Sequence, residues 1–428
     1  MLRKVAIASC IGTTVEWYDF FIYATAAALV FNKLFFPNLD PLIGSLAALG
    51  TYAAGFIARP VGGLIFGIIG DRKGRKVALV TTLLIVGIAT FIIGLMPTYD
   101  RIGIAAPLTL LFIRLLHGFG IGGEQGNAIL ITFEHAPEKA RGYFSSWVQI
   151  GAPAGFVLPL GLFAVLSATM SNPAFVSWGW RIPFLLSMLL IAIGLYIRLE
   201  LSESPLFRRE QVHEHHPLRA MLQTHRHDVL LGCGVKLLES TVFTTYAVIF
   251  TAYAVSRGIP KPTMTTATLA AILIELVMLP LFGALSDRVG RRKVYMAGAL
   301  LNILLAVPAF WAVYANQPIL IAAALIGVLG FGHSAMYGPQ AAFFAELFPT
   351  RMRASGVSFI QQIGALIGSV GTLAAGWLLA LAHGAPWILV TYLVAVGGVT
   401  LACTYLLPET APRLSFTRGV RMPLVSGM

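Results

Sequence analysis

The chain has 428 residues, of which 57% are hydrophobic and only 11% charged, against roughly 25% charged in an average soluble domain. A soluble fold of this length has no interior for so much apolar surface, whereas twelve spans of about 20 residues would use about 240 apolar-dominated positions. The arithmetic excludes disorder, a disulfide scaffold and nucleic-acid binding as the main business, and the net charge of +12 acquires meaning only by position.

Met1 to Lys4 and the apolar run after them have the outline of a signal peptide. The run continues to about residue 31, contains Glu16 and Asp19 and shows no small-residue cleavage site, so it reads as the first membrane helix. Charge and turn clusters then cut the chain into twelve apolar segments: 7–31, 43–69, 77–97, 105–131, 142–167, 180–199, 229–254, 263–285, 294–314, 318–344, 354–381 and 386–407. The longest polar stretch divides them six and six. The expectation is an all-α polytopic membrane protein with an N-terminal six-helix half over 1–200. A central cytoplasmic loop follows over 201–228, then a C-terminal half with a short cytoplasmic tail over 229–428. Cys10, Cys233 and Cys403 are scattered through apolar segments and suit neither a disulfide nor a metal site. His213, His215, His216, His225 and His227 crowd the central loop and read as solvated rather than metal-binding.

Lysines and arginines sort by loop. With the N-terminus inside, Lys33, Arg101, Arg181, Arg257 and Lys261 fall outside, Arg59, Arg114 and Lys236 fall within spans, and the other 22 are cytoplasmic. That bias places both termini in the cytoplasm and accounts for the high pI.

The halves repeat each other. Gly67, Asp71, Arg72, Gly74 and Arg75 recur as Gly283, Asp287, Arg288, Gly290 and Arg291; Gly118-Phe119-Gly120 recurs as Gly330-Phe331-Gly332. Glu134, Pro137 and Arg141 recur as Glu346, Pro349 and Arg353, and Gln149-Ile150-Gly151-Ala152 as Gln362-Ile363-Gly364-Ala365. Two parallel six-helix repeats are a transporter architecture, with a site between the halves and access alternating by rocking.

The Gly-x₃-Asp-Arg-x-Gly-Arg-Lys loop after span two, repeated after span eight, resembles the signature of the major facilitator superfamily. Glu16-Trp17-Tyr18-Asp19-Phe20, Arg59-Pro60-Val61-Gly62-Gly63, Gly122-Gly123-Glu124, Trp178 to Phe184 and Glu203-Ser204-Pro205 narrow it. Together they resemble the bacterial metabolite:proton symporter branch, which includes shikimate, α-ketoglutarate, dicarboxylate, citrate and proline/betaine carriers. Gln125-Gly126-Asn127 and His117 depart from the branch pattern where its cavity would lie, so no relative's substrate transfers directly. The resemblance implies a cytoplasmic gate built on Asp71, Arg72, Arg75, Asp287, Arg288 and Arg291, with Arg141 and Arg353 as partners. The acids there are suited to capping a neighbouring helix N-terminus.

Buried ionisable residues in spans are functional candidates by default. Glu16 and Asp19 share one face of span one with Gly12 and Tyr23, and Arg114 reaches a similar depth in span four. A carboxylate–arginine pair made in one state and broken in another takes up and releases a proton, and the resemblance places coupling groups in the same two spans. Asp19, Glu16, Arg114 and Glu124 are therefore the expected proton-coupling residues, a permanent structural ion pair being the competing reading. Glu124 is read as a second proton station or as a packing carboxylate tied to His117. Lys236 and Glu239 either neutralise each other or free Lys236 for an anionic substrate. Glu275 has no assignable partner. The expected substrate contacts are Arg114, Arg59, Lys236, Tyr18, Gln125, Gln149, His117, His333 and Tyr337, with His333 also readable as a packed core residue.

Gly118-x-Gly120-x-x-Gly123 matches a dinucleotide fingerprint, but no strand precedes it, so it reads as helix packing. The Gly151/Gly155 and Gly364/Gly368 pairs sit where rocking surfaces are expected. No nucleophile–base set suggests an enzyme. The expectation is an inner-membrane, proton-coupled symporter importing a small organic metabolite, a carboxylate by preference. It has no cofactor, the proton is its coupling ion, and its partners are a small-molecule substrate and the bilayer but no nucleic acid. It is monomeric. A zwitterion or osmolyte carrier, an exchanger without proton coupling and a non-transporting receptor are the alternatives.

Overall fold

A computed structural model describes residues 2–200, 202–209, 216–381 and 385–412. His213, His215 and the tail beyond 412 lie outside the described residues. Twelve long helices follow in order: α1 (Leu2–Ala26), α2 (Pro41–Lys73), α3 (Arg75–Leu95), α4 (Ala105–His135), α5 (Arg141–Gln149, resuming at Gly151–Thr169) and α6 (Arg181–Glu200). Then come α7 (Arg226–Ser256), α8 (Lys261–Val289), α9 (Arg291–Tyr314), α10 (Pro318–Glu346), α11 (Arg353–Leu381) and α12 (Trp387–Leu406). No strand occurs among the described residues. Among the described residues eleven helices are long and apolar enough to cross a membrane, and α11, with 29 residues, is a twelfth long helix. At 1.5 Å per residue each spans the roughly 30 Å hydrocarbon core.

Several helices run past their apolar windows at the basic ends. This places Asp71, Glu134 and Glu346 inside closing helical turns, because backbone hydrogen bonding continues where hydropathy has already fallen. Only Gly74 separates α2 from α3, and only Gly290 separates α8 from α9, with φ of 106° and 111°. Side chains rarely adopt that backbone conformation, so glycine is required at both turns.

Two compact units result. The first comprises Met1–Glu134, Ile150–Arg219 and Thr350–Gln362; the second comprises His135–Gln149, Ala220–Pro349 and Ile363–Met428. The opening turns of α5 and α11 thus group with the opposite half of the sequence.

Within the first unit α2 and α4 meet backbone to backbone. A methyl group at Gly118 would strike the Gly55 carbonyl, and one at Gly122 the Arg59 carbonyl. Gly151 and Gly155 of α5 admit Thr13 and Trp17 of α1, and in the second unit Gly364 and Gly368 of α11 admit Lys236 and Ser240 of α7. These pairs, read from sequence as rocking surfaces, hold each unit together instead. An aromatic cluster of Phe31, Phe35, Trp180 and Phe184 closes one end of the first unit. Large apolar side chains face outward, as with Ile57 and Ile319, while Arg75, Arg114 and Arg291 are fully buried. That inversion suits a chain solvated by lipid.

Candidate functional site

In the first unit, α1 carries Glu16 and Asp19, each 1% exposed. Neither forms an ion pair within 4.0 Å among the described residues, and neither oxygen of Glu16 accepts a hydrogen bond there. Glu16 lies in the field of Glu124, Arg59, Arg198 and Asp19. Asp19 lies beside the Thr90 hydroxyl, with Glu124 and Arg114 in range; that hydroxyl also donates to the Val86 carbonyl at 3.0 Å.

Arg114, on α4, stacks over Tyr23 at 4.5 Å and Phe20 at 4.8 Å. Its Nη1 meets His117 Nδ1 at 2.7 Å. A guanidinium can only donate, so His117 accepts at Nδ1 and carries its proton on Nε2. Arg59, on α2, is ringed by Trp17, Phe20 and Phe56 at 5.5–5.6 Å, and its Nε donates to Gln362 Oε1 at 3.2 Å. Glu124 is tied not to His117 but to Arg198 of α6. Arg198 also donates to the Leu79 carbonyl of α3 at 2.7 Å and packs on Gly12 of α1. Sequence reading counts Arg198 with the cytoplasmic bases. Its burial (4% exposed) follows from a side chain long enough to reach back into the unit. Tyr18 donates its hydroxyl to the Pro183 carbonyl at 3.0 Å, so it fastens α1 to α6. Gln125 is buried on α4.

The second unit gathers another set. Lys236 pairs with Glu239, its Nζ donates to Gln340 Oε1 at 3.1 Å, and it lies over the Tyr337 ring. Gln340 Nε2 reaches Glu239 Oε2 at 3.3 Å and the Tyr295 hydroxyl at 3.2 Å. His333 stands 2.7 Å from Glu275 through Nδ1 and 3.5 Å from Glu239 through Nε2, which supplies the partner that Glu275 lacked in the sequence. Gln149 donates to the Tyr337 carbonyl at 3.2 Å.

The basic ends carry two matching clusters. Asp71 accepts from the Ala354 and Ser355 amides at 2.9 and 2.8 Å and pairs with Arg75 at 3.2 Å. Asp287 accepts from the Gly142 and Tyr143 amides at 2.8 and 2.9 Å and pairs with Arg291 at 2.7 Å. Each acid therefore caps a helix drawn from the other half of the sequence: the amides lie just after Arg353 and Arg141, where a helix start has unused N–H donors. Arg353 turns instead to Glu134, 3.1 Å away, and Arg141 is half-buried at its helix start. Arg75 and Arg291 also bind Glu134 and Glu346. Glu203 accepts from the Arg75 and Lys76 amides, as Glu409 does from those of Arg291 and Arg292. Ser204 and Thr410 complete the match by donating to Glu134 and Glu346. Arg72 and Arg288 are exposed. The acid–hydroxyl dipeptides 203–204 and 409–410 are a signal the sequence contains and the repeat search missed.

The sequence model of the family described as "Sugar (and other) transporter" matches residues 5–229, and that of the Major Facilitator Superfamily matches 232–426. The chain belongs to the major facilitator superfamily, and it is a transporter rather than an enzyme. The "Inner membrane metabolite transport protein YhjE" of Escherichia coli (strain K12) is 41% identical, over 95% of this chain and 94% of that one. The shikimate transporter of the same organism is 35% identical over 96% and 95%, and its proline/betaine transporter is 34% identical over 96% and 84%. The proton:xylose symporter XylE, solved with 6-bromo-6-deoxy-D-glucose, superposes with a TM-score of 0.74 over 96% of both chains. At 16% identity that likeness shows the twelve-helix, two-half fold alone.

Proposed function

We propose that this transporter is a proton-coupled symporter importing a small organic carboxylate by alternating access. The observation that supports this most is Glu16, a buried carboxylate without hydrogen bond or ion pair among the described residues, one helical turn from Asp19. A buried carboxylate with no fixed partner is the kind of group that exchanges a proton as its surroundings change. Arg59 and Arg114 supply buried positive charge in the same unit, which suits an anionic substrate. The second reading is a zwitterion carrier. Trp17 follows Glu16 on α1 with a buried indole N–H that has no partner among the described residues, and an aromatic ring on the same helix turn as a carboxylate suits a quaternary ammonium once Arg59 leaves the ring.

In this reading the Asp71 and Asp287 caps latch the cytoplasmic side and part when the carrier opens inward. The protein works as a monomer in the inner membrane with both termini in the cytoplasm, needing no cofactor beyond the coupling proton. Asp19→Asn is expected to abolish pH-driven accumulation in proteoliposomes while retaining exchange; unimpaired accumulation would remove Asp19 from coupling. Thermal-shift measurements against organic acids and betaines at two pH values test the substrate class, and stabilisation by betaines but no acid selects the second reading.

A further inference from the structure

His333 is the last residue of a π-helical stretch, Ile326–His333, in α10. That stretch is one of four among the described residues, with Ala27–Phe31, Phe175–Gly179 and Thr245–Phe250. The ring is 3% exposed and stands between two carboxylates from two other helices: Glu275 Oε1 of α8 at Nδ1, 2.7 Å away, and Glu239 Oε1 of α7 at Nε2, 3.5 Å away. A neutral imidazole has one N–H and one lone pair. Nδ1, 2.7 Å from a carboxylate, must carry its proton, and Nε2, which makes no hydrogen bond among the described residues, faces the Glu239 charge, so only the doubly protonated ring presents an N–H to both acids.

The charges give the same result. Lys236 supplies one positive charge and Glu239 and Glu275 supply two negative ones, so the buried cluster closes to zero only when it holds one more proton. Among the described residues the other groups facing the cluster are the Tyr295 hydroxyl of α9, the Phe243 ring of α7 at 5.9 Å and, from α10 itself, Gln340 and Tyr337, whose ring lies 5.2 Å from that of His333. The Gly364 backbone of α11 packs on the Lys236 stem. None of these adds a positive charge. An uncompensated charge at such a site costs several kcal/mol.

We infer that His333, bridged between Glu239 and Glu275, is a proton-binding site of the second unit, separate from the α1 carboxylates of the first. The bound proton is held at the 2.7 Å contact of Nδ1 with Glu275, and Glu239, kept in place by Lys236 and Gln340, adds a second negative charge 3.5 Å from Nε2.

The test is solid-state NMR of the full chain in lipid bilayers, labelled with ¹⁵N-histidine and read at neutral pH, where imidazolium and neutral imidazole nitrogens resonate apart. His333→Gln assigns the signal. The expected result is an imidazolium at His333 that becomes a neutral ring in Glu275→Gln, because removing one carboxylate balances the cluster without the proton. Should His333→Gln fail to fold, the one histidine signal that Glu275→Gln moves serves as the assignment. A neutral His333 in the parent, or no histidine responding to Glu275→Gln, overturns the inference. Failure of the parent to accumulate substrate under a pH gradient would sink proton coupling and leave this result untouched.

Discussion

Replacing Asp71 by Asn keeps the shape of the latch and removes its charge. The native carboxylate takes two amides of the α11 first turn, at 2.9 and 2.8 Å, and Arg75 at 3.2 Å. Asn offers one acceptor oxygen, so one charge-assisted bond and the buried ion pair are lost, while the other amide bond survives in neutral form. Charge-assisted bonds contribute roughly 1.5–3 kcal/mol each, and loss of the partner leaves Arg75 with Glu134 as its ion pair and the Gly70 and Thr350 carbonyls as acceptors. The latched state should therefore weaken by about 2–4 kcal/mol, or roughly 30- to 1,000-fold in the equilibrium. Ser358 lies one turn beyond the capped amides and is fully buried. In a background with Cys10, Cys233 and Cys403 changed to serine, Ser358→Cys should react with a permeant maleimide at least about tenfold faster when Asp71→Asn is added. Asp287→Asn should act in the same direction. A labelling rate within about twofold of the parent for both would refute the latch, since a cap that does not alter opening is only a local helix stop.

Arg198→Ala should lower the melting temperature sharply, because Glu124 would stay buried without its partner at a cost of about 3–5 kcal/mol; adding Glu124→Ala should recover part of the loss, and failure to do so would mean packing on Gly12 dominates. Gly122→Ala should abolish folded protein in detergent size-exclusion chromatography, since its methyl has only the Arg59 carbonyl to displace, and a normal elution profile would contradict the backbone contact of α2 and α4. Glu203→Gln and Glu409→Gln should each destabilise by roughly 1–2 kcal/mol through weaker capping of α3 and α9. Because the two clusters are built alike, markedly unequal melting shifts would argue against equal capping roles.

Hydropathy and repeats were enough to read the twelve helices, the two-half plan and the transporter class, because a span must be long, apolar and internally hydrogen-bonded whatever surrounds it. Glu16, Asp19, Arg59, Arg114 and His117 were likewise visible as charges or polar groups where lipid tolerates few. Their partners were not. Arg198 sits at the edge of an apolar window, and only the packing of α6 on α3 and α1 turns it inward onto Glu124. His333 gave no sign of its two carboxylates, because Glu239 and Glu275 lie on separate helices at sequence distances no periodicity connects. The same holds for Asp71 and Asp287. The sequence by itself determined that an acid stands at the end of the second span of each half and that a glycine follows three residues later. Only the tertiary structure decided that each acid caps the helix start of the opposite half, because free amides at a helix N-terminus take whichever carboxylate the packing brings to them.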